Sequence, residues 1–228
     1  QDETNFPEEF YQYDSYNYKK NLQGYAEDLR TSYNRSLRLI IEKLNFKNNI
    51  IIAGNSWSLN AAKITGDYLR GKLNLEFVES YDESYKINEN DLVIAISYSG
   101  NSEEASAWLK HARRANAKAI IITTGGKLSE NSFDAPKIDL TQNIPSRTAT
   151  FTIIGTLLRL FEDAGLIETQ AQEIQNAVDF LRNQNVSELA IDLSKKLYGV
   201  IPLIYSTNTL RNSAYKFKKL INANAKTT

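Results

Sequence analysis

The apolar run Leu92-Val93-Ile94-Ala95-Ile96, entered from Asp91, leads directly into Ser97-Tyr98-Ser99-Gly100-Asn101-Ser102. A short, β-branched run without polar alternation reads as a strand covered on both faces of a parallel sheet. The loop after it is crowded with small polar groups. Ser97, Ser99 and Ser102 bring three hydroxyls, Gly100 permits positive φ, and Asn101 tolerates the same region. Beyond Ser102, Ala105, Trp108, Leu109 and Ala112 recur at spacings of three, four and seven, so a helix is predicted with one face on the sheet. Its free N–H groups and positive end point back at the serines. Two readings stand: a plain strand-to-helix turn with Ser102 as N-cap, or a backbone cradle for an anion. Three hydroxyls around one glycine favour the second.

Composition limits what that anion site can belong to. A chain of 228 residues with 42% hydrophobic content has room for one large or two small domains. Lys plus Arg and Asp plus Glu both number 27, so no global field draws the chain to nucleic acid or an anionic membrane. Cysteine is absent and histidine occurs once, so no disulfide framework, metal centre or cofactor is expected. No apolar run nears the roughly 20 residues a membrane span needs, and no signal-like start is present, so a cytoplasmic address is expected. Methionine is also missing, even at position 1, which points to a trimmed or processed start.

Along the chain, the stretch to about Tyr18 reads as an extended arm packing on a neighbour. Leu29, Tyr33, Leu37, Ile40, Ile41 and Leu44 predict a covering helix over Asp28 to Leu44. Strands are predicted at Ile50 to Ala53, Leu75 to Val78, Leu92 to Ile96, Ala119 to Thr123 and, at an edge, near Ile138 to Leu140. Helical segments intervene, one of them from about Ser58 to Leu69, giving a parallel sheet with right-handed crossovers. An apolar helix from about Ala149 to Ala164 ends at Gly165. Helices near Thr169 to Leu181 and Val186 to Leu197 follow, then a strand at Val200 to Tyr205 and a helix from about Leu210 to Leu220. Residues 1–150 are thus expected to hold the arm, the covering helix and a first domain. Residues 151–228 are expected to hold a connector helix and the start of a second subdomain. A lone strand needs partners for its backbone, so a fragment of a two-lobed protein is expected.

Ligands on such sheets sit at the carboxyl ends of the strands. There the loop Gly54-Asn55-Ser56-Trp57-Ser58 accompanies the serine loop, as a capped turn or as a second phosphate-facing turn. Thr123-Thr124-Gly125-Gly126 reads as a connection. Arg147, within Pro145-Ser146-Arg147-Thr148, reads as a solvated arginine or as a bidentate cation beside the loops. His111 reads as surface or partner-facing, and the cluster Lys110, Arg113, Arg114 and Lys118 as a solvated helix end. Tyr11, Tyr13, Tyr16 and Tyr18 lack the basic interleaving of a single-strand stacking platform.

The run Ser97-Tyr98-Ser99-Gly100-Asn101-Ser102 resembles the SxSGxT/S signature of sugar isomerase (SIS) domains. Three further segments resemble the bifunctional phosphoglucose/phosphomannose isomerases within that superfamily. Ile51-Ile52-Ala53-Gly54-Asn55-Ser56 is similar to their GMGGS turn, one residue shorter and with Asn55 in place of a glycine. Ser146-Arg147-Thr148-Ala149 is similar to their PRxA element. Leu210-Arg211-Asn212-Ser213-Ala214-Tyr215-Lys216, with Asn222-Ala223-Asn224-Ala225-Lys226, is similar to their RxxAxRxK…NENAK run. The resemblance implies an α/β SIS fold, a flavodoxin-like three-layer αβα sandwich. It implies that Ser97, Ser99 and Ser102 hold the phosphate of glucose 6-phosphate, mannose 6-phosphate or fructose 6-phosphate, with Asn55 and Ser56 closing the site and Arg147 stabilising an enediolate. It also implies a homodimer and a glutamate and a histidine for proton transfer and ring opening. Neither is identified in this chain, which reaches only the NANAK-like run. A non-catalytic SIS module that senses a phosphosugar is the alternative. A Rossmann-type nucleotide site is disfavoured because no GxGxxG or GxxxxGK run occurs.

Overall fold

The structure, a computed structural model, describes residues 17–41, 49–81, 85–130, 133–184 and 186–226. Strands β1 (Ile50–Gly54), β2 (Leu75–Val78), β3 (Leu92–Ser97), β4 (Lys118–Thr123) and β5 (Lys137–Asp139) form one sheet in the order β2-β1-β3-β4-β5, every pairing parallel. The five predicted strands are these, within a residue or two at their ends. Around the sheet lie α1 (Tyr18–Gln23), α2 (Tyr25–Asn34), α3 (Arg38–Ile41), α4 (Ser56–Tyr68), α5 (Glu103–Arg114), α6 (Thr150–Asp163), α7 (Ala171–Asn183), α8 (Ser187–Leu197) and α9 (Arg211–Ala225).

Both faces of the sheet are covered, which is why its central strands read as unbroken apolar runs. Ile50, Ile52, Ile94, Ile96, Ile120 and Ile122 pack into one core with Leu29 and Tyr33 of α2, Leu59 of α4, and Ile153, Leu157 and Phe161 of α6. The alternate residues turn the other way. Ile51, Ala53 and Val93 meet Trp108 and Ala112 of α5, while Ala95 and Ile121 meet Ala105 and Leu109. Phe161 is among the largest fully buried side chains, so Phe161→Ala is expected to lose about 3–5 kcal/mol of stability, read as a lowered urea midpoint at unchanged m-value.

Two expectations require correction. The covering helix does not run on through residue 35. It stops at Asn34, Arg35 is extended, and a separate short helix begins at Arg38. The break is held by tertiary bonds: the Leu37 N–H donates to Asp163 at 2.6 Å, and Arg35 donates to the Asp139 carbonyl at 2.6 Å. Residues 42–44 of that prediction, and the arm up to residue 16, lie outside the described residues.

The predicted strand at residues 200–205 does not form, because no described strand borders it to complete a ladder. Ile201, Leu203 and Tyr205 stay 72%, 77% and 87% exposed. Helix α9 therefore packs on α4 rather than on a strand of its own. Asn60 donates to the Asn212 carbonyl at 3.1 Å, and the Asn212 amide side chain and backbone N–H both donate to Asp67, at 2.9 and 3.1 Å.

Candidate functional site

Parallel pairing brings the carboxyl ends of β1, β3 and β4 side by side, with Gly54 beside Ile96 and Ser97 beside Thr123. Helix α4 leaves β1 toward one face and α5 leaves β3 toward the other, as their separate cores show. The strand order thus places its topological switch point between β1 and β3, where doubly wound sheets open a ligand crevice.

The serine loop occupies that point. Ser97 is the buried last residue of β3, Ser99 is exposed, and Ser102 is the N-cap of α5, its Oγ accepting from the Ala105 N–H at 3.2 Å. Ser102 thus does the capping work that the plainer reading gave it. Gly100 has φ +70°, and a Cβ there would stand 1.6 Å from the Gly125 carbonyl oxygen. The turn after β4 is therefore more than a connection; it is the other half of a lock. Gly126, at φ +65°, would drive a Cβ to 2.3 Å from the Ser99 carbonyl oxygen. The Thr124 N–H and hydroxyl both donate to the Tyr98 carbonyl, at 3.0 and 2.6 Å. The Leu128 N–H donates to the Gly100 carbonyl at 2.9 Å. Tyr98 itself is buried and ties the loop to the segment before α6, donating from its hydroxyl to Thr141 at 2.9 Å and accepting from the Ile144 N–H at 3.2 Å.

Asn55 and Ser56 begin α4 beside this loop. Asn55 is extended at the N-cap position but makes no side-chain cap; Ser56 is exposed at φ +50°, a region L-residues rarely adopt. Ser58, in the first turn of α4, is buried and accepts from the Tyr98 N–H at 3.0 Å, joining the two loops. A second join is Glu104. Burial pushes its carboxyl up, but its own backbone N–H and hydrogen bonds from Asn55 and Ser102 outweigh that, and the net shift is downward. The Ser102 Oγ–Glu104 distance is 2.8 Å. Ser102→Ala removes both the cap and this bond, with an expected loss of about 1 kcal/mol, measurable by urea denaturation.

Arg147 lies in the segment before α6, half-buried, its guanidinium 4.4 Å from the centre of the Tyr18 ring. Its carbonyl oxygen accepts from Lys216 Nζ at 3.0 Å. Lys219, one turn further along α9, reaches Ser56 Oγ at 3.3 Å, and both lysines stand over Trp57, at 5.2 and 4.4 Å. The structure therefore gathers Asn55, Ser56 and the serine loop at one end of the sheet, and α9 links them to the Arg147 backbone. Sequence reasoning missed Trp57, Glu104 and Lys219 as neighbours of the site, and read Lys216 only as part of a motif. Asn212, Lys216 and Lys219 follow helical spacing on one face of α9, and that was the available signal. His111, expected at the surface, is half-buried with its ring 5.2 Å from that of Trp108.

A cavity of about 790 Å³ lies apart from these loops, lined by Ile201, Leu203, Tyr215 and Phe77 among others and by none of the serine-loop residues. Among the described residues, no cluster of three or more His, Cys, Asp or Glu is placed to hold a metal, and no helix is long and apolar enough to cross a membrane.

Residues 43–159 match the family model of the SIS domain. The chain is 32% identical over 189 residues to the bifunctional phosphoglucose/phosphomannose isomerase of Thermoplasma acidophilum, an alignment covering 78% of this chain and 56% of that protein. It is 30% identical over 177 residues to the D-glucosamine-6-phosphate 4-epimerase of Sulfolobus acidocaldarius, covering 75% and 56%. Among solved structures, the tagatose-6-phosphate ketose/aldose isomerase of Escherichia coli superposes with a TM-score of 0.57 at 17% identity, over 90% of this chain and 62% of that one. The chain spans about half the length of the curated relatives it matches. Its parallel sheet in the order β2-β1-β3-β4-β5, its serine loop at the switch point and the match over residues 43–159 make the chain a member of the SIS domain family.

Proposed function

We propose that the protein is a phosphosugar isomerase that interconverts glucose 6-phosphate, mannose 6-phosphate or both with fructose 6-phosphate, moving a proton between C1 and C2 through an enediolate. The observation that carries this reading is the serine loop, held open by Gly100 and the Gly125–Gly126 turn at the head of α5. Ser97, Ser99 and Ser102, with the first N–H groups of α5, would receive the phosphate. Asn55 and Ser56 would close over it, and Arg147 would face the C1–C2 end and stabilise the enediolate charge. The identity to the Thermoplasma isomerase over 78% of the chain supports the reaction class. In this reading residues 1–150 form the ligand-binding unit, residues 151–228 lead into a second subdomain, and the working protein is a homodimer.

The test is a coupled assay of the intact protein with each aldose 6-phosphate, following fructose 6-phosphate. Turnover of at least one is expected. Thermal stabilisation by fructose 6-phosphate without turnover of either aldose would replace this reading with a sensing module.

The Sulfolobus relative favours a second reading, because its alignment covers nearly as much of this chain. Incubation with glucosamine 6-phosphate separates the two: an epimerase inverts C4 and retains the aldose, whereas a C1–C2 isomerase leaves C4 untouched.

A further inference from the structure

Lys216 and Lys219 are half-buried ammonium groups without a carboxylate at ion-pairing distance among the described residues. Lys216 is offered one carbonyl oxygen and the face of Trp57; Lys219 is offered the Ser56 hydroxyl and the same ring. Glu79 acts on Lys219 from a distance but pairs with Lys63 at 2.9 Å. Removing two cations from water without an anion is unfavourable, and it is worse when each repels the other. Such an arrangement is relieved when an anion enters. A chain of hydrogen bonds joins Lys219 to the serine loop: Lys219 donates to Ser56, the neighbouring Asn55 bonds Glu104, and Glu104 takes the Ser102 hydroxyl.

Resting on the phosphosugar reading above, we infer that Lys216 and Lys219 form a cationic clamp for the ligand's phosphate, closing α9 over the Asn55–Ser56 turn opposite the serine loop. Lys219 is the direct phosphate donor. Lys216 adds its charge and, through the Arg147 carbonyl, fixes the backbone of that arginine, so phosphate capture and Arg147 placement share one helix.

The clamp has a protonic signature. Burial and then the charge of Lys219 bring the Lys216 amine down to about 8. Burial also lowers Lys219, opposed by Glu79 and reinforced by Lys63. The other titratable groups facing the pair are Tyr215, whose ring centre is 5.7 Å from Lys219 Nζ, Arg147 beside Lys216, with Tyr18 against its guanidinium, and Glu104 behind Asn55. A bound dianion favours the ammonium form and raises the Lys216 value. Binding is therefore strongest below pH 8, takes up a proton just above it, and weakens as pH rises through the raised value of the complex.

The test is isothermal titration of fructose 6-phosphate into the full chain at about pH 8.5, where the ligand phosphate is fully ionised, in Tris and in HEPES. Wild type is expected to take up a proton. Lys219→Gln and Lys216→Gln are expected to lose that uptake and to bind roughly ten- to a hundredfold more weakly, as for a lost charge-assisted hydrogen bond, while Lys219→Arg retains most of the affinity. Melting temperatures of the unliganded variants separate lost binding from lost folding. Variants that bind like wild type, without proton uptake in either, overturn the clamp and leave the phosphosugar reading standing. A folded wild type that binds no fructose 6-phosphate overturns both.

Discussion

Gly100→Ala is expected to remove ligand binding and a substantial part of the fold's stability together. The new Cβ would lie 1.6 Å from the Gly125 carbonyl oxygen, 2.6 Å from the Gly125 carbonyl carbon and 2.8 Å from Thr123 Oγ1. None of these is the far end of a flexible side chain. Keeping φ near +70° costs an L-residue about 1–2 kcal/mol, and relieving the overlap by moving two packed loops costs about 1–3 more. The displaced turn also carries the Leu128-to-Gly100 and Thr124-to-Tyr98 hydrogen bonds, so the serine hydroxyls lose their common frame. The expected result is a urea midpoint lower by roughly 2–5 kcal/mol equivalent and no measurable fructose 6-phosphate binding by the fraction that still folds. Wild-type affinity in that fraction would mean the loop is not the phosphate cradle. Phe161→Ala is the companion control. It lowers stability by a comparable amount through the core between α2, α6 and the sheet, yet leaves affinity unchanged.

Arg147→Ala is expected to act on turnover rather than on capture. Its guanidinium is held against Tyr18 and its carbonyl is pinned by Lys216, so the charge is placed before substrate arrives. Losing one pre-placed donor to a developing oxyanion lowers kcat by about a hundred- to a thousandfold. KM should change little, because the proposed phosphate contacts lie on other elements. Arg147→Lys is not expected to rescue, since an ammonium lacks the planar fork that can span two oxygens and stacks less well on a ring. A rise in KM with kcat preserved would place Arg147 at the phosphate end and sink its proposed role in the enediolate step.

The sheet was legible because its strands are buried on both faces, and Ile50 to Gly54 and Leu92 to Ser97 have only one sensible conformation when read locally. The cap at Ser102 was legible for the same reason, since its partner is three residues away. What could not be read were outcomes decided at long range. The helical periodicity of Leu29, Tyr33, Leu37, Ile40 and Ile41 passes straight through the break at Arg35, whose cause, Asp163, lies 126 residues from Leu37. Residues 200–205 have the composition of a strand, but a strand exists only with a neighbour. The Gly125–Gly126 turn looked like a connection because its role is to meet the carbonyl groups of another loop. Helical spacing put Lys216 and Lys219 on one face of α9 but did not name their partners, since the contact to Ser56 crosses 163 residues and that to Arg147 crosses 69.

The uncovered side chains of Ile201, Leu203 and Tyr205 alternate along the chain, presenting an apolar edge to any passing polypeptide. An exposed apolar run of this kind is the sort of segment on which an added strand can pair. Pro202 stands in the middle of the run and has no N–H to offer, so an incoming strand meets a gap in its ladder of donors. A run whose middle residue cannot donate is a poorer template for an added strand than its exposed side chains alone would make it.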